Sequence, residues 1–123
     1  MQERRAAPRI KMRHKVGVLL SSGDVVYAWT YDLSLTGIQF LSEYSADVGD
    51  TLKLFMSVLD PKVDEYVAVY FTAHVIHVIY DGAENCFRIG VDFAGFDGGG
   101  KEIYERFLDG RIYSRFGQHL LER

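Results

Sequence analysis

From Val16 onward, apolar positions recur with the two-residue period of strands rather than the longer period of helices. Val16, Val18 and Leu20 alternate in VGVLL, and SSGD, with Gly23 and Asp24, ends that run as a turn. VVYAWTY is rich in β-branched and aromatic residues and sets Val25, Tyr27, Trp29 and Tyr31 on one face. GIQFL places Ile38 and Phe40 together, DVGD marks a turn, and TLKLFMSV aligns Leu52, Leu54, Met56 and Val58. LDPKVDEY, with Pro61 among charges, reads as a loop. VAVYFTAHVIHVIY is long enough to predict a bend or bulge. After the DGAEN turn, CFRIGVDF alternates Phe87, Ile89, Val91 and Phe93.

About six short strands joined by hairpin-length turns, with no helix between them, predict an antiparallel barrel or sandwich. The period changes after Phe93. AGFDGGG reads as a flexible link, and KEIYERFLDGRIYSRF carries Ile103, Tyr104, Phe107, Leu108 and Ile112 at helical spacing. This predicts one amphipathic helix over about 101–115, covering the barrel or meeting a partner. Gly110 weakens its middle and favours an early end.

Composition narrows the class. The chain has 123 residues, which fits one domain, and 48% hydrophobic residues suffice for a core. The net charge of -3 supplies no global basic field, so DNA and RNA are not expected partners. Positive charge is instead gathered at the start, at Arg4, Arg5, Arg9, Lys11, Arg13 and Lys15. A single cysteine, Cys86, permits no internal disulfide and fits a reducing, cytoplasmic setting. The charged start does not read as a signal peptide, and no apolar run is long enough for membrane insertion.

Enzymatic motifs are poorly supported. GFDGGGKE resembles a phosphate loop, but Glu102 stands where a magnesium-binding hydroxyl belongs, and no βαβ repeat surrounds it. His74 and His77 form an HxxH pair, and on a regular strand a spacing of three sends them to opposite faces, which argues against a metal site. There is no G-x-S-x-G elbow for a serine nucleophile, and Asp64 and Glu65 sit in a predicted loop, where solvated carboxylates are the simpler reading. No catalytic residue, metal site or cofactor is assigned.

Two short segments carry more. RRAAPR, Arg4 to Arg9, puts three arginines in six residues beside the first strand. As a solvated terminal cluster it is worth little, but guanidinium groups also suit bidentate phosphate contact and stacking on bases. DLSLTG, Asp32 to Gly37, reads first as a turn in which Asp32 and Ser34 bond local amides and Gly37 takes an unusual φ. A carboxylate on such a turn can also accept from guanine N1–H and the exocyclic amine, a donor pair that adenine lacks.

Together, Arg5-x-x-x-Arg9 and Asp32-x-Ser34-x-x-Gly37 resemble the RxxxR and [DN]xSxxG motifs of the PilZ domain family. RIGVDF, with Gly90 and Phe93, is similar to the family's closing strand, so the resemblance spans nearly the whole chain. It implies a mainly β fold: a six-stranded antiparallel PilZ-type β-barrel over 16–123 with a C-terminal α-helix, preceded by a flexible arginine-rich leader over 1–15. It implies a bacterial, non-enzymatic receptor for cyclic di-GMP. Arg5 and Arg9 would clamp phosphates and stack on guanine, Asp32 and Ser34 would contact a guanine, and Gly37 would let the turn close around the ligand. Arg4 is associated in the family with capture of a stacked ligand dimer, and His77 is placed by the resemblance on the wall facing the site. The leader would fold over the ligand and change a surface read by an unidentified downstream protein, with motility, exopolysaccharide or virulence as outputs. A homodimer and either one or two ligands per protomer are compatible with this reading. The alternative is a PilZ-like barrel that binds another protein without any ligand.

Overall fold

Alternation builds the barrel observed in the computed structural model, which describes residues 8–121, with side chains through Arg111. The strands are β1 (Ile10–Lys11), β2 (Lys15–Leu19), β3 (Val25–Leu33), β4 (Gly37–Ser42), β5 (Thr51–Asp60), β6 (Glu65–Asp81) and β7 (Cys86–Phe96), followed by helix α1 (Gly100–Leu121). All pairings are antiparallel. The order β3-β2-β5-β6-β7-β4 closes through β3–β4 into a ring of six, and the two-residue β1 adds to β3 beside β2. Closure leaves the ring without an open edge. The six predicted strands are these six. Within residues 1–15, expected to form a leader, Ile10–Lys11 forms β1 and Lys15 begins β2.

The apolar stripes meet inside. Leu54, Met56 and Val58 of β5 face Val69, Phe71, Ala73 and Val75 of β6, and Ile38, Phe40, Ile89 and Val91 complete the wall. Tyr27 and Trp29 do share a face with Val25, but it is the outer one; the inner face of β3 carries the small Ala28 and Thr30. A six-stranded ring is narrow, and small inward residues on one strand leave room for large ones on the others.

Helix α1 lies against β5, β6 and β7 with Tyr104, Phe107 and Leu108 buried. Each such side chain contributes about 1.5–3 kcal/mol by leaving water. Tyr104 packs edge-on against Phe93 and beside Phe96. Arg106 holds Asp60 in a two-point contact of 3.0 and 2.9 Å, which keeps that buried carboxylate's pKa down at about 2. The helix continues through Gly110 rather than ending there, and a Cβ added at that position would lie 3.9 Å from Pro61 Cγ. Ile112, the last residue of the predicted apolar face, has a side chain outside the described set. The predicted glycine link is short: Gly98 takes a positive φ of 52° and Gly100 already begins the helix.

Candidate functional site

Two β-bulges decide which side chains reach the outer surface. In β3, Thr30 pairs with Phe40 but Asp32 pairs with Gln39, so Tyr31 is the extra residue. The insertion reverses the alternation: Thr30 points inward, yet Asp32, two residues later, stands outside beside Gln39 and the next core residue is Leu33, three residues on. In β6, Val75 pairs with Val91 and His77 with Gly90, leaving Ile76 as the extra residue. Val75 belongs to the core, as does Ile89, the partner of Val78. His74 and His77 therefore share the outer face, which corrects the expectation of opposite faces. The physical reason is the bulge between them. His74 is engaged separately, its Nδ1 lying 3.1 Å from Thr51 Oγ1.

Asp32, Gln39, Gly90 and His77 consequently form one row across β3, β4, β7 and β6. Asp32 is 5% exposed. Its Oδ1 accepts from Arg9 Nη1 at 2.8 Å, and its Oδ2 accepts from Gln39 Nε2 at 2.9 Å. Gln39 Oε1 lies 3.1 Å from His77 Nε2. The amide oxygen can only accept, so His77 carries a hydrogen on Nε2 in this contact. Gly90 makes room for the imidazole: a Cβ there would clash with the His77 ring, 2.6 Å from both of its nitrogens.

The segment that delivers Arg9 is tied to the barrel. Lys11 pairs with Asp32 and Ile10 with Leu33. Between β1 and β2, Thr30 Oγ1 donates to Met12 O at 2.6 Å and accepts from His14 N at 2.8 Å. One buried hydroxyl thus satisfies two backbone groups where the ladder is interrupted. Beside it, Tyr31 is flanked by cations. Lys11 Nζ donates to its hydroxyl at 3.0 Å, and the Arg88 guanidinium lies 4.0 Å from its ring centre. Lys11, and then Arg88, hold the Tyr31 pKa below its ordinary value. Arg88 is itself oriented by Asp81 at 2.6 Å.

The turn after Asp32 is built by Ser34. Its hydroxyl donates to Gly37 O at 3.1 Å and accepts from Gly37 N at 3.2 Å and Thr36 N at 3.3 Å. Ser34 is buried, and its carbonyl accepts from the Tyr104 hydroxyl at 2.7 Å, linking the turn to α1. Burial pushes the Tyr104 pKa upward, so that hydroxyl stays a donor. Gly37 does not occupy the positive-φ region, contrary to expectation; among the described glycines, 23, 49 and 98 do. Its constraint is space. A Cβ at Gly37 would stand on the carbonyl oxygen of Val91, 3.1 Å from the carbonyl carbon and 3.2 Å from Asp92 Cα.

Of the residues expected at a site, Arg9, Asp32 and His77 are brought into one network, with Ser34 and Gly37 forming the adjoining turn. Arg4 and Arg5 lie outside the described residues. Gln39, Tyr31, Lys11, Arg88 and Tyr104 were not singled out from the sequence. Counting outward from the DLSLTG turn pairs Leu33 with Ile38 and then Asp32 with Gln39, so Gln39 could have been found that way. Among the described residues, no group of three or more His, Cys, Asp or Glu could hold a metal ion, and no helix is long and apolar enough to cross a membrane. The arrangement gathers cations and a flanked aromatic ring around one oriented carboxylate, which suits an anionic ligand that also presents a donor edge.

Comparison with known proteins bears on the family and the fold. The PilZ domain model matches residues 3–110. No curated protein sequence matches the chain. Among solved structures, the Bacillus subtilis inhibitor of motility MotI/DgrA superposes with a TM-score of 0.73 at 15% identity, over 90% of this chain and 51% of that one. The PilZ domain of Escherichia coli YcgR, solved with cyclic di-GMP, gives 0.63 at 18% identity over 94% of this chain and 98% of that one. The Klebsiella pneumoniae MrkH–cyclic di-GMP complex gives 0.65 at 14% identity, over 91% of this chain and 54% of that one. The chain thus spans about half the length of two of these structures, and at such identities the likeness is one of fold. On the family match over most of its length, the chain belongs to the PilZ domain family, whose domains are non-catalytic receptors for cyclic di-GMP.

Proposed function

We infer that this chain is a cyclic di-GMP effector in which the arginine-rich leader closes over the ligand on the outer wall of the barrel. The observation that carries the reading is the 2.8 Å contact between Arg9 and Asp32. It joins the last arginine of RxxxR to the first residue of the DxSxxG turn, so phosphate-binding and guanine-reading groups meet at one place. Arg5 and Arg9 take phosphates and stack on guanine, Asp32 accepts from N1–H and the amine, and Ser34 and Gly37 keep the turn in shape. Arg4 supports a second, stacked ligand. Two phosphates bring two negative charges to Arg9, Lys11 and Arg88, where charge-assisted hydrogen bonds can form.

Ordering the leader costs about 1–2 kcal/mol per fixed backbone residue, offset by charge-assisted hydrogen bonds. The ordered leader and the neighbouring barrel rim then present a new surface to a downstream protein, and motility, exopolysaccharide and virulence control are the outputs considered. Limited trypsin digestion tests the ordering. Cyclic di-GMP should protect the bonds after Arg4, Arg5 and Arg9, while GTP should not. Equal cleavage with and without a saturating dinucleotide would refute leader closure. A downstream partner bound equally well in both conditions would favour the ligand-independent module instead.

A further inference from the structure

We propose that Gln39, which lies outside both motifs, is a specificity-determining residue of this site, its amide nitrogen turned toward Asp32, and that His77 on its Gly90 seat is the positioning residue that anchors the amide oxygen. The inference rests on the cyclic di-GMP reading above. Three hydrogen bonds along the row converge on the Asp32 carboxylate. His77 Nε2–H donates to Gln39 Oε1 at 3.1 Å, Gln39 Nε2–H donates to Asp32 Oδ2 at 2.9 Å, and Arg9 donates to the other carboxylate oxygen at 2.8 Å. Reversing the Gln39 amide would set its oxygen against the Asp32 carboxylate oxygen, an acceptor against an acceptor and therefore repulsive, whereas the imidazole could meet either amide group by its choice of tautomer. The amide therefore has one orientation, with its nitrogen beside the carboxylate.

That orientation has a chemical consequence. A carboxamide nitrogen carries two hydrogens, and Asp32 Oδ2 takes one. Guanine approaching Asp32 through N1–H and its amine brings O6 to the neighbouring position, where an acceptor needs a donor. The second Gln39 N–H supplies it. Adenine presents an N1 acceptor and an N6 amine on the same edge, so it would set a lone pair against the carboxylate and a donor against Gln39. Asp32 and Gln39 together thus form an acceptor–donor pair complementary to guanine. Asp32 alone reads only two of its three edge groups. A site built to satisfy polar groups rejects an analogue strongly because the mismatch leaves buried groups unpaired.

His77 acts through Gln39, and Gly90 acts through His77. A Cβ at Gly90 would clash with the imidazole, and the obstruction is a side chain that can swing aside. Gly90→Ala should therefore leave the barrel folded while releasing Gln39.

The test is the ratio of affinities for cyclic di-GMP and cyclic di-AMP, measured by equilibrium titration on the full chain. Gln39→Leu should weaken cyclic di-GMP about tenfold, the value of one hydrogen bond of about 1.4 kcal/mol, and leave the weak cyclic di-AMP binding unchanged. The ratio then falls about tenfold. His77→Ala and Gly90→Ala should lower it by a smaller factor, and His77→Gln, which restores an N–H donor, should recover it. A purely structural role would weaken both dinucleotides alike, and that result, or an unchanged ratio, overturns the proposal. Should Gln39→Leu fail to fold, Gln39→Asn keeps the amide but is one methylene too short to bridge both partners, and the same loss is expected. If the unmutated chain binds no cyclic di-GMP, the ligand assignment itself fails; if it binds and Gln39→Leu keeps the ratio, only the role of Gln39 fails.

Discussion

Gly37→Ala tests whether the turn is held by close backbone approach. The added methyl would meet the Val91 carbonyl and Asp92 Cα, both main-chain atoms of β7, so no side-chain rotation can relieve it. The end of β4 must move away. Two hydrogen bonds are anchored there, Phe93 N to Thr36 O at 2.9 Å and Ser34 N to Gly37 O at 2.9 Å. Overpacking against a fixed neighbour costs about 1–3 kcal/mol, and weakening two backbone bonds adds about 1 kcal/mol each at most. A loss of about 3 kcal/mol follows. For a chain of this length, 1 kcal/mol moves the melting midpoint by about 4 °C, so the midpoint should fall by about 12 °C. Thermal unfolding followed by circular dichroism reads this directly. A fall of less than about 3 °C would show that β7 yields and that the close approach is not what requires glycine.

Other outcomes follow from single contacts. Tyr104→Phe leaves the Ser34 carbonyl buried without its partner and should cost about 1–3 kcal/mol in denaturant unfolding; an unchanged midpoint would mean that α1 does not hold the turn. Asp60 has its pKa lowered from 3.8 to about 2 by Arg106, so its contribution to stability is present above about pH 4 and is lost as pH falls toward 2. Asp60→Asn should flatten the stability profile across that window, and an unaltered acid limb would contradict the assignment. Thr30→Val removes the hydroxyl shared by Met12 O and His14 N; amide hydrogen exchange at His14 should accelerate, and retained protection would show that the hydroxyl does not tie down this segment.

The strands were legible because one face of each is buried: Leu52 to Val58 and Phe87 to Phe93 alternate without interruption. The two motifs were legible as letters. Their geometry was not. Tyr31 and Ile76 look like ordinary strand residues, and nothing local marks either as an inserted position. Each shifts the register by one and so decides whether Asp32 and His77 face the core or the surface. The need for glycine at position 37 comes from Val91 on β7, distant in sequence but the neighbouring strand in the sheet, so local turn chemistry suggested the wrong cause. Tyr104 reaches Ser34 across 70 positions, a contact that helical periodicity places in the core without naming its partner. Gln39 carried no signal of its own between Ile38 and Phe40, and strand pairing is what sets it between Asp32 and His77.

The central claim is that the two motifs form one cyclic di-GMP site, and calorimetric titration of the full chain, with molar mass followed by light scattering, tests it most directly. Saturable binding is expected, selective over GTP and cyclic di-AMP, lost in Arg9→Ala and Asp32→Ala while both variants keep the barrel's circular dichroism. The heat gives the ligand stoichiometry and the mass reports any dimer. Folded, unmutated protein that releases no binding heat and shows no change in a competition assay with a fluorescent cyclic di-GMP analogue would contradict the account.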